Sequence, residues 1–326
     1  MNKILDLGKR TTTPGKAPTV LFLWEGEDSE PWRQHMVPYL DGLDFRTVAD
    51  VGDPTDIDYV LTWMPPVGAL AGYPNLKAIF SIGAGVTHIL RDELLPDDVP
   101  IFRLIDPVLT QDMTCHALHW VLHFHRNYAV YAGQQSNSEW LRHKIHANST
   151  CRVGVLGMGT VGAGVAATLR DLQFDVAGWS RSEKKIPGVK SYFGGDQLRS
   201  FLNRTDILIS LLPPTPDTCN LIDAQRLSEM PRGSYLINMS RGDIVVDQAL
   251  LASLDSEHTA GAALDVFRRE PLAKDDPYWR HPRVHVTPHA AAATTPEYGA
   301  RRIALNIKSL IEGGWPDGEL DRSRGY

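Results

Sequence analysis

The sequence predicts an α/β protein made of two doubly wound parallel sheets. Three observations carry that expectation. Its 326 residues suit about two domains. Short apolar runs alternate with helical patterns along most of the chain, the order that builds a parallel sheet with crossover helices. A second series of this kind opens at a glycine-rich turn, Gly157-x-Gly159-x-x-Gly162. The turn stands between an apolar strand and an Ala/Val-rich helix.

In the first series, residues 19–25 (TVLFLWE) read as a buried strand. Residues 30–40 read as a helix with Pro31 in its first turn, where the missing N–H costs nothing. The runs DFRTV, DIDYVLTW and NLKAIFSIG follow as strands bounded by Gly, Pro or Asp, and IFRL is one more. From about Val108 to Gly133 the apolar spacing is helical and no proline interrupts it, so one long helix is expected. The polar GQQSNSEWLRHKIHANST then reads as a loop or frayed helix. The second series runs from Cys151 to about His289, with strands at CRVGVLG, DVAGWS, DILISLLP, SYLINMS, GAALDVF and VHVTPH. A last helix starts near Pro296 and stops at Gly313–Gly314.

Composition removes several classes of function. A formal net charge of -6 argues against a nucleic-acid partner, which needs a basic face. No apolar run approaches the roughly 18 residues of a membrane span. Cys115, Cys151 and Cys219 form no C-x-x-C pair and no disulfide framework, which fits a reducing, cytoplasmic setting. The first 19 residues are polar and lack an apolar signal core. A flexible leader is the expectation there, and a transit peptide is the lesser alternative.

The glycine turn predicts a dinucleotide site. Gly157 permits the tight turn, Gly159 lets backbone approach a pyrophosphate, and Gly162 lets helix and strand pack closely. The helix N-terminus then presents free N–H groups to the anion. The next strand, DVAGWS, ends beside the expected adenosine ribose. An acidic residue there would exclude a 2′-phosphate. This chain has Ser180, Arg181 and Ser182, followed by Lys184 and Lys185. Arg181 suits charge-assisted bonds to a phosphate, with the serines adding neutral ones.

Three strand ends supply chemistry. INMSRGD delivers Arg241, ALDVFRREP delivers Asp265 and Glu270, and VTPHAAAA delivers His289. In a doubly wound sheet ligands sit outside the carboxyl ends of the strands. A cation, a carboxylate and an imidazole converging there suit carbonyl reduction. The cation binds a substrate carboxylate or polarises the carbonyl, the imidazolium donates a proton, and the carboxylate orients the ring.

These residues carry a resemblance. The chain resembles the D-isomer-specific 2-hydroxyacid dehydrogenases through VGVLGMGTVG, DILISLLPPTPDTCNLI, MPRGSYLINMSRGDIVVDQALLASL, GAALDVFRREPL and HPRVHVTPHAAA. Within that family, LTWMPP, FSIGAGVTHIL and GWSRSEKKIPGV resemble the glyoxylate/hydroxypyruvate reductase A branch, which generally favours NADPH. The resemblance implies a Rossmann cofactor domain, residues 105–289, inserted into a flavodoxin-like substrate domain, residues 1–104 plus 290–326. It implies catalytic roles for Arg241, Glu270 and His289, with His289 as proton donor. The cofactor contacts it implies are Gly157, Met158, Gly159, Thr160, Val161, Gly162, Ser180, Arg181, Ser182, Leu212, Pro213, Met239, Ser240 and Asp265, the last near the nicotinamide carboxamide. The substrate contacts it implies are Trp63, Met64, Ala84, Gly85 and Arg241.

The resulting expectation is a reductase of small 2-oxo acids that prefers NADP(H), with NAD(H) as the alternative cofactor. It would turn glyoxylate into glycolate and hydroxypyruvate into D-glycerate. The alternatives are the same chemistry on a bulkier acid such as phenylpyruvate, and a dinucleotide-sensing binding protein like the family's corepressors. A homodimer is implied, and Trp140 resembles a tryptophan that some relatives send into the neighbouring subunit. No metal is expected. His119 and His123 lie four apart on a helix, but without an H-e-x-x-H or C-x-x-C companion they read as packing residues. His88 reads as starting or packing a helix. One departure from the family is the alanine-rich AAAATTPE after His289, where relatives carry glycine or serine.

Overall fold

The computed structural model describes residues 17–83 and 85–322. Most of the polar leader and Ala84 lie outside the described residues. The chain divides into two compact units, Met1–Val108 with Thr294–Tyr326, and Leu109–Ala293. Both change-overs fall a few residues beyond the boundaries expected from sequence. Among the described residues no helix is long and apolar enough to cross a membrane.

The first unit holds β1 (Thr19–Leu23), α1 (Ser29–Met36), β2 (Asp44–Thr47), β3 (Tyr59–Thr62), β4 (Ala78–Ser81), α2 (Thr87–Leu90) and β5 (Ile101–Phe102). The strands pair in parallel in the order β2-β1-β3-β4-β5. That is the flavodoxin-like order, reversing direction beside β1. Alternate residues of β1 serve opposite faces. Val20 and Phe22 enter one core layer with Trp32 and Met36 of α1, while Leu21 and Leu23 enter the other with Ile79 and Ile101. Burial on both faces explains why these strands read as unbroken apolar runs.

The second unit starts with α3 (Pro107–His125) and α4 (Tyr128–Ser136). It continues with β6 (Arg152–Leu156), α5 (Thr160–Asp171), β7 (Asp175–Ser180), β8 (Lys190–Phe193), α6 (Gly194–Asn203), β9 (Ile207–Ser210), α7 (Ala224–Glu229), β10 (Ser234–Asn238), α8 (Asp247–Asp255), β11 (Thr259–Leu264) and β12 (Val284–Val286). Seven parallel strands lie in the order β12-β11-β10-β9-β6-β7-β8. This is the doubly wound dinucleotide-binding order with one added strand, and its switch point falls between β6 and β9. Val153, Val155, Ile207 and Ile209 face α3 and α5, while Leu156 and Leu208 face α6, α7 and α8. The chain then returns to the first unit as α9 (Pro296–Ile311), whose Ile303, Ala304 and Ile307 complete the layer around Trp32.

Two expectations need correction, the single long helix and the strand list. The long helix is broken: Asn127 adopts φ 57 between α3 and α4. Asparagine tolerates this left-handed geometry far better than most residues and stops helices there. The polar segment stays helical to Ser136 before it becomes irregular, and Trp140 stands fully exposed on that stretch. The strand β8 was not expected. It is four residues at a sheet edge, partly exposed, and pairing with Ala177–Ser180 of β7 defines it.

The α3 histidines pack against rings. His116 Nε2 accepts the Trp120 indole N–H at 3.0 Å. His123 lies 4.6 Å from His285 of β12 between ring centroids, and Phe124 stacks on Tyr235 at 4.4 Å. Burial, then the neighbouring His285 and His119, holds the His123 pKa down at about 4.

Candidate active site

The strand registers put the expected positions of the second unit in one row. Leu156 pairs with Trp179 and with Ser210, Ser210 with Asn238, Asn238 with Leu264, and Leu264 with Val286. Each of these residues ends or nearly ends its strand. So Ser180–Ser182, the glycine turn, Leu212–Pro213, Met239–Arg241, Asp265 and Thr287–His289 all emerge at the carboxyl edge of one sheet, the edge where doubly wound folds bind ligands.

The glycine turn follows β6. Gly157 has φ 101, and a Cβ there would lie 2.6 Å from the Leu211 carbonyl oxygen. At Gly162 a Cβ would lie 1.8 Å from the Gly157 carbonyl oxygen, which forces glycine where helix meets turn. Gly159 differs. A Cβ there would meet nothing within 4 Å, and Gly159 and Thr160 are exposed. Backbone is thus laid bare at the start of the twelve-residue α5. Its first-turn N–H groups have no partner within the helix, and the positive end of the dipole faces the same space. Closed packing at two glycines and open space at the third fit a pyrophosphate group.

The side chains of Met158, Leu212 and Met239 turn into the core, at 6%, 6% and 3% exposure. Met158 fills the space over Gly178, where a Cβ would touch its sulfur at 2.3 Å. At these three positions it is the backbone that faces the carboxyl edge of the sheet. Pro213 is fixed by Thr218, whose hydroxyl donates to the Pro213 carbonyl at 2.5 Å. The end of β7 is tied to the turn, since the Gly157 N–H donates to the Trp179 carbonyl at 2.9 Å. Arg181 and Ser182 follow on the exposed surface. The Ser180 hydroxyl donates to the Ser182 carbonyl at 2.8 Å, which shapes this loop.

His289 and Glu270 form a pair, with Nδ1 2.7 Å from Oε2. A carboxylate only accepts, so Nδ1 carries the hydrogen and Nε2 is left for a ligand. The other Glu270 oxygen accepts the Phe267 N–H at 2.9 Å. His289 has φ 52, a costly geometry for a residue with a Cβ. Its N–H donates to the carbonyls of Asp265 and Thr287 at 2.8 and 3.0 Å.

Asp265 explains how this turn is held. Its side chain is 1% exposed in place, and both oxygens are taken. One accepts the Thr287 hydroxyl at 2.6 Å and the Ala290 N–H at 2.8 Å; the other accepts the Ala291 N–H at 3.0 Å. The structure gives Asp265 a role in holding the turn beside the expected place near the nicotinamide carboxamide. It clamps the chain on either side of His289. Thr287 was not singled out from sequence, and its only signal there is its place two residues before His289.

Arg241 follows β10 on a turn built from buried polar groups. Asn238 accepts from the Ser240 hydroxyl at 3.0 Å and donates to the Arg241 carbonyl at 3.0 Å, while Ser210 and Ser240 share a hydrogen bond of 3.0 Å. Burial pushes the Arg241 guanidinium pKa down, against the opposing pull of Glu270 and Asp243. A half-buried guanidinium at the same sheet edge as the Glu270–His289 pair suits a small carboxylate. Next to it, Gly242 presses on the turn that leads to Glu270. A Cβ there would lie 2.0 Å from the Phe267 carbonyl carbon and 2.2 Å from the Arg268 nitrogen. Both are backbone atoms and cannot step aside cheaply. Gly242→Ala is expected to cost about 1–3 kcal/mol or more, as overpacking does, and to lower the thermal midpoint in a melting experiment. An unchanged midpoint would show that the two turns are not pressed together.

In the first unit, Trp63 and Met64 follow β3 and Gly85 follows β4. The Trp63 ring lies over Gly83 and 4.0 Å from the His88 ring between centroids. Met64 is 67% exposed with φ 53. The Gly85 carbonyl accepts the Ser81 hydroxyl at 3.1 Å. Ala84 falls outside the described residues. Among the described residues no group of three His, Cys, Asp or Glu side chains is placed to hold a metal.

Comparison with known proteins decides the family. The sequence model for the D-isomer specific 2-hydroxyacid dehydrogenase NAD binding domain matches residues 118–291. The chain belongs to the D-isomer-specific 2-hydroxyacid dehydrogenases. Solved members of the family superpose over nearly its whole length. A D-isomer specific 2-hydroxyacid dehydrogenase from Xanthobacter autotrophicus Py2, in complex with NADPH and MES, is 37% identical, with 95% of this chain and 100% of that one covered and a TM-score of 0.92. The NADPH-dependent glyoxylate/hydroxypyruvate reductase of Sinorhizobium meliloti, in complex with NADP and sulfate, is 32% identical over 95% and 100%, with a TM-score of 0.88. A probable 2-hydroxyacid dehydrogenase from Rhizobium etli CFN 42, with NADP, HEPES and L(+)-tartaric acid, is 31% identical over 95% and 99%, also at 0.88. The chain is therefore an oxidoreductase of this family, with its NAD-binding domain in the second unit.

Proposed function

We propose that this dehydrogenase is an NADPH-preferring reductase of small 2-oxo acids, turning glyoxylate into glycolate and hydroxypyruvate into D-glycerate. The observation that carries the reading is the 2.7 Å His289–Glu270 pair at the same sheet edge as the half-buried Arg241. The likeness to the Sinorhizobium meliloti reductase supports the choice of substrates.

NADPH held at this edge would supply the hydride for the carbonyl carbon. His289 gives the proton from Nε2 to the carbonyl oxygen, where charge develops as the carbon is reduced. Glu270 accepts the Nδ1 hydrogen throughout, which fixes the orientation of the ring and leaves Nε2 facing the substrate. Arg241 holds the substrate carboxylate or polarises the carbonyl. On the cofactor side, the N–H groups of Thr160, Val161 and Gly162 hold the pyrophosphate, and Arg181 holds the 2′-phosphate. Two relatives solved with NADP and one with NADPH support that assignment. For the substrate we further assign a carboxylate contact to the Gly85 backbone, and wall contacts to Trp63 and Met64. Their place just past strands β4 and β3 supports this.

The test is a panel of 2-oxo acids, each with NADPH and with NADH. The largest kcat/KM is expected for glyoxylate or hydroxypyruvate with NADPH. A larger value for phenylpyruvate would overturn the substrate, and no turnover with any acid would overturn the reductase reading.

A further inference from the structure

The turn that carries Glu270 is anchored by a side chain outside the reacting set. Arg268 lies two residues before Glu270. Its guanidinium reaches back across the carboxyl edge to two other segments. Nε donates to the Val245 carbonyl at 3.1 Å, and Nη2 donates to the same carbonyl and to Asn220 Oδ1. Nε is also 3.3 Å from Asp247 Oδ2 in an ion pair. Asp247 in turn accepts the hydroxyl of the buried Tyr278 at 3.0 Å.

These partners matter because of what their segments carry. Val245 and Asp247 follow Arg241 through the Gly242 turn. Asn220 ends the loop that begins at Leu212–Pro213, and its N–H donates to the Asp243 carbonyl at 2.8 Å. Asn220 also holds a left-handed φ of 57, so its amide is presented from a fixed bend. One planar, forked cation therefore joins three loops, each with an expected site residue at its head. Lysine, with one point charge, cannot fork this way.

We propose that Arg268 is a positioning residue for Glu270, setting the turn from Phe267 to Glu270 so that the carboxylate meets His289 Nδ1. The proposal rests on the reading of Glu270 and His289 as the proton-donating pair. The side chain is 32% exposed, so the bonds stabilise the fold modestly at most. Their consequence is geometric: both Glu270 oxygens are already committed, one to Phe267 N–H and one to His289. A turn that drifts by about an ångström spoils the second bond, and misplacement on that scale is costly to turnover.

A double-mutant cycle tests it. The parent, Arg268→Ala, Glu270→Gln and the double variant are compared for kcat/KM with glyoxylate, per site titrated with NADPH. Arg268→Ala is expected to lower kcat/KM tenfold or more with NADPH affinity within twofold of the parent. In the Glu270→Gln background the same change is expected to cost less than threefold. A parent-like Arg268→Ala, or an equal loss in both backgrounds, overturns the role of Arg268 and leaves the catalytic pair standing. An unchanged Glu270→Gln overturns the pair itself, and the Arg268 role with it. If Arg268→Ala gives no folded protein, Arg268→Lys enters the same cycle. A loss of threefold or more that vanishes in Glu270→Gln is then expected, and an additive or absent loss overturns the proposal.

Discussion

His289→Ala is expected to lower kcat/KM for glyoxylate reduction by about two to four orders of magnitude, the usual worth of a positioned general acid. NADPH affinity should stay within about twofold. The substitution isolates the imidazole. Alanine keeps a Cβ at φ 52, and the main-chain bonds from residue 289 to Asp265 and Thr287 need no side chain. The Asp265 clamp on Ala290 and Ala291 also survives. What disappears is the proton donor and the partner of Glu270. Steady-state kinetics with NADPH fluorescence titration checks this. Turnover within threefold of the parent would remove His289 from the chemistry, and lost NADPH binding would show that the turn had collapsed.

The second large effect concerns the cofactor. Arg181→Asp is expected to reduce the preference for NADPH over NADH by about two orders of magnitude. A charge-assisted hydrogen bond contributes about 1.5–3 kcal/mol, a factor of roughly ten to a hundred and fifty. The new carboxylate then repels a 2′-phosphate and accepts from ribose hydroxyls. Position supports the choice of residue: Arg181 follows directly on β7, whose Trp179 carbonyl is bonded to the Gly157 N–H of the turn. Comparing kcat/KM for both cofactors decides the matter. A variant with the parent's preference would move the phosphate clasp to other residues, with Lys184 and Lys185 the next to replace. The proposed reaction would be untouched, because that proposal rests on Arg241, Glu270 and His289.

Much of this site is legible in the chain. Strands buried on both faces must be apolar along their length, so β1, β3, β6, β9 and β10 declare themselves. Chain order and parallel pairing then send every strand's carboxyl end to one edge. Arg241 and His289 therefore fall where ligands bind, and Glu270 follows close behind β11. The three glycines are equally readable by their spacing, although the fold itself excludes a Cβ only at Gly157 and Gly162.

Side-chain destinations were not legible. Met158, Leu212 and Met239 turn into the core, Met158 into the space over Gly178 and the other two into separate core layers. The break at Asn127 interrupts an apolar pattern that continues on both sides, so the spacing alone hid it.

The sequence by itself determined the two parallel sheets, the glycine turn and the order in which a cation, a carboxylate and an imidazole reach the edge. These depend on local periodicity and on chain direction. Only the tertiary structure decided that Asp265 clamps the His289 turn, that Gly242 presses on the Glu270 turn, and that Arg268 ties three loops together. Each of those contacts joins residues more than twenty positions apart. Their partners are selected by which strand ends lie side by side after folding, and no spacing along the chain encodes that.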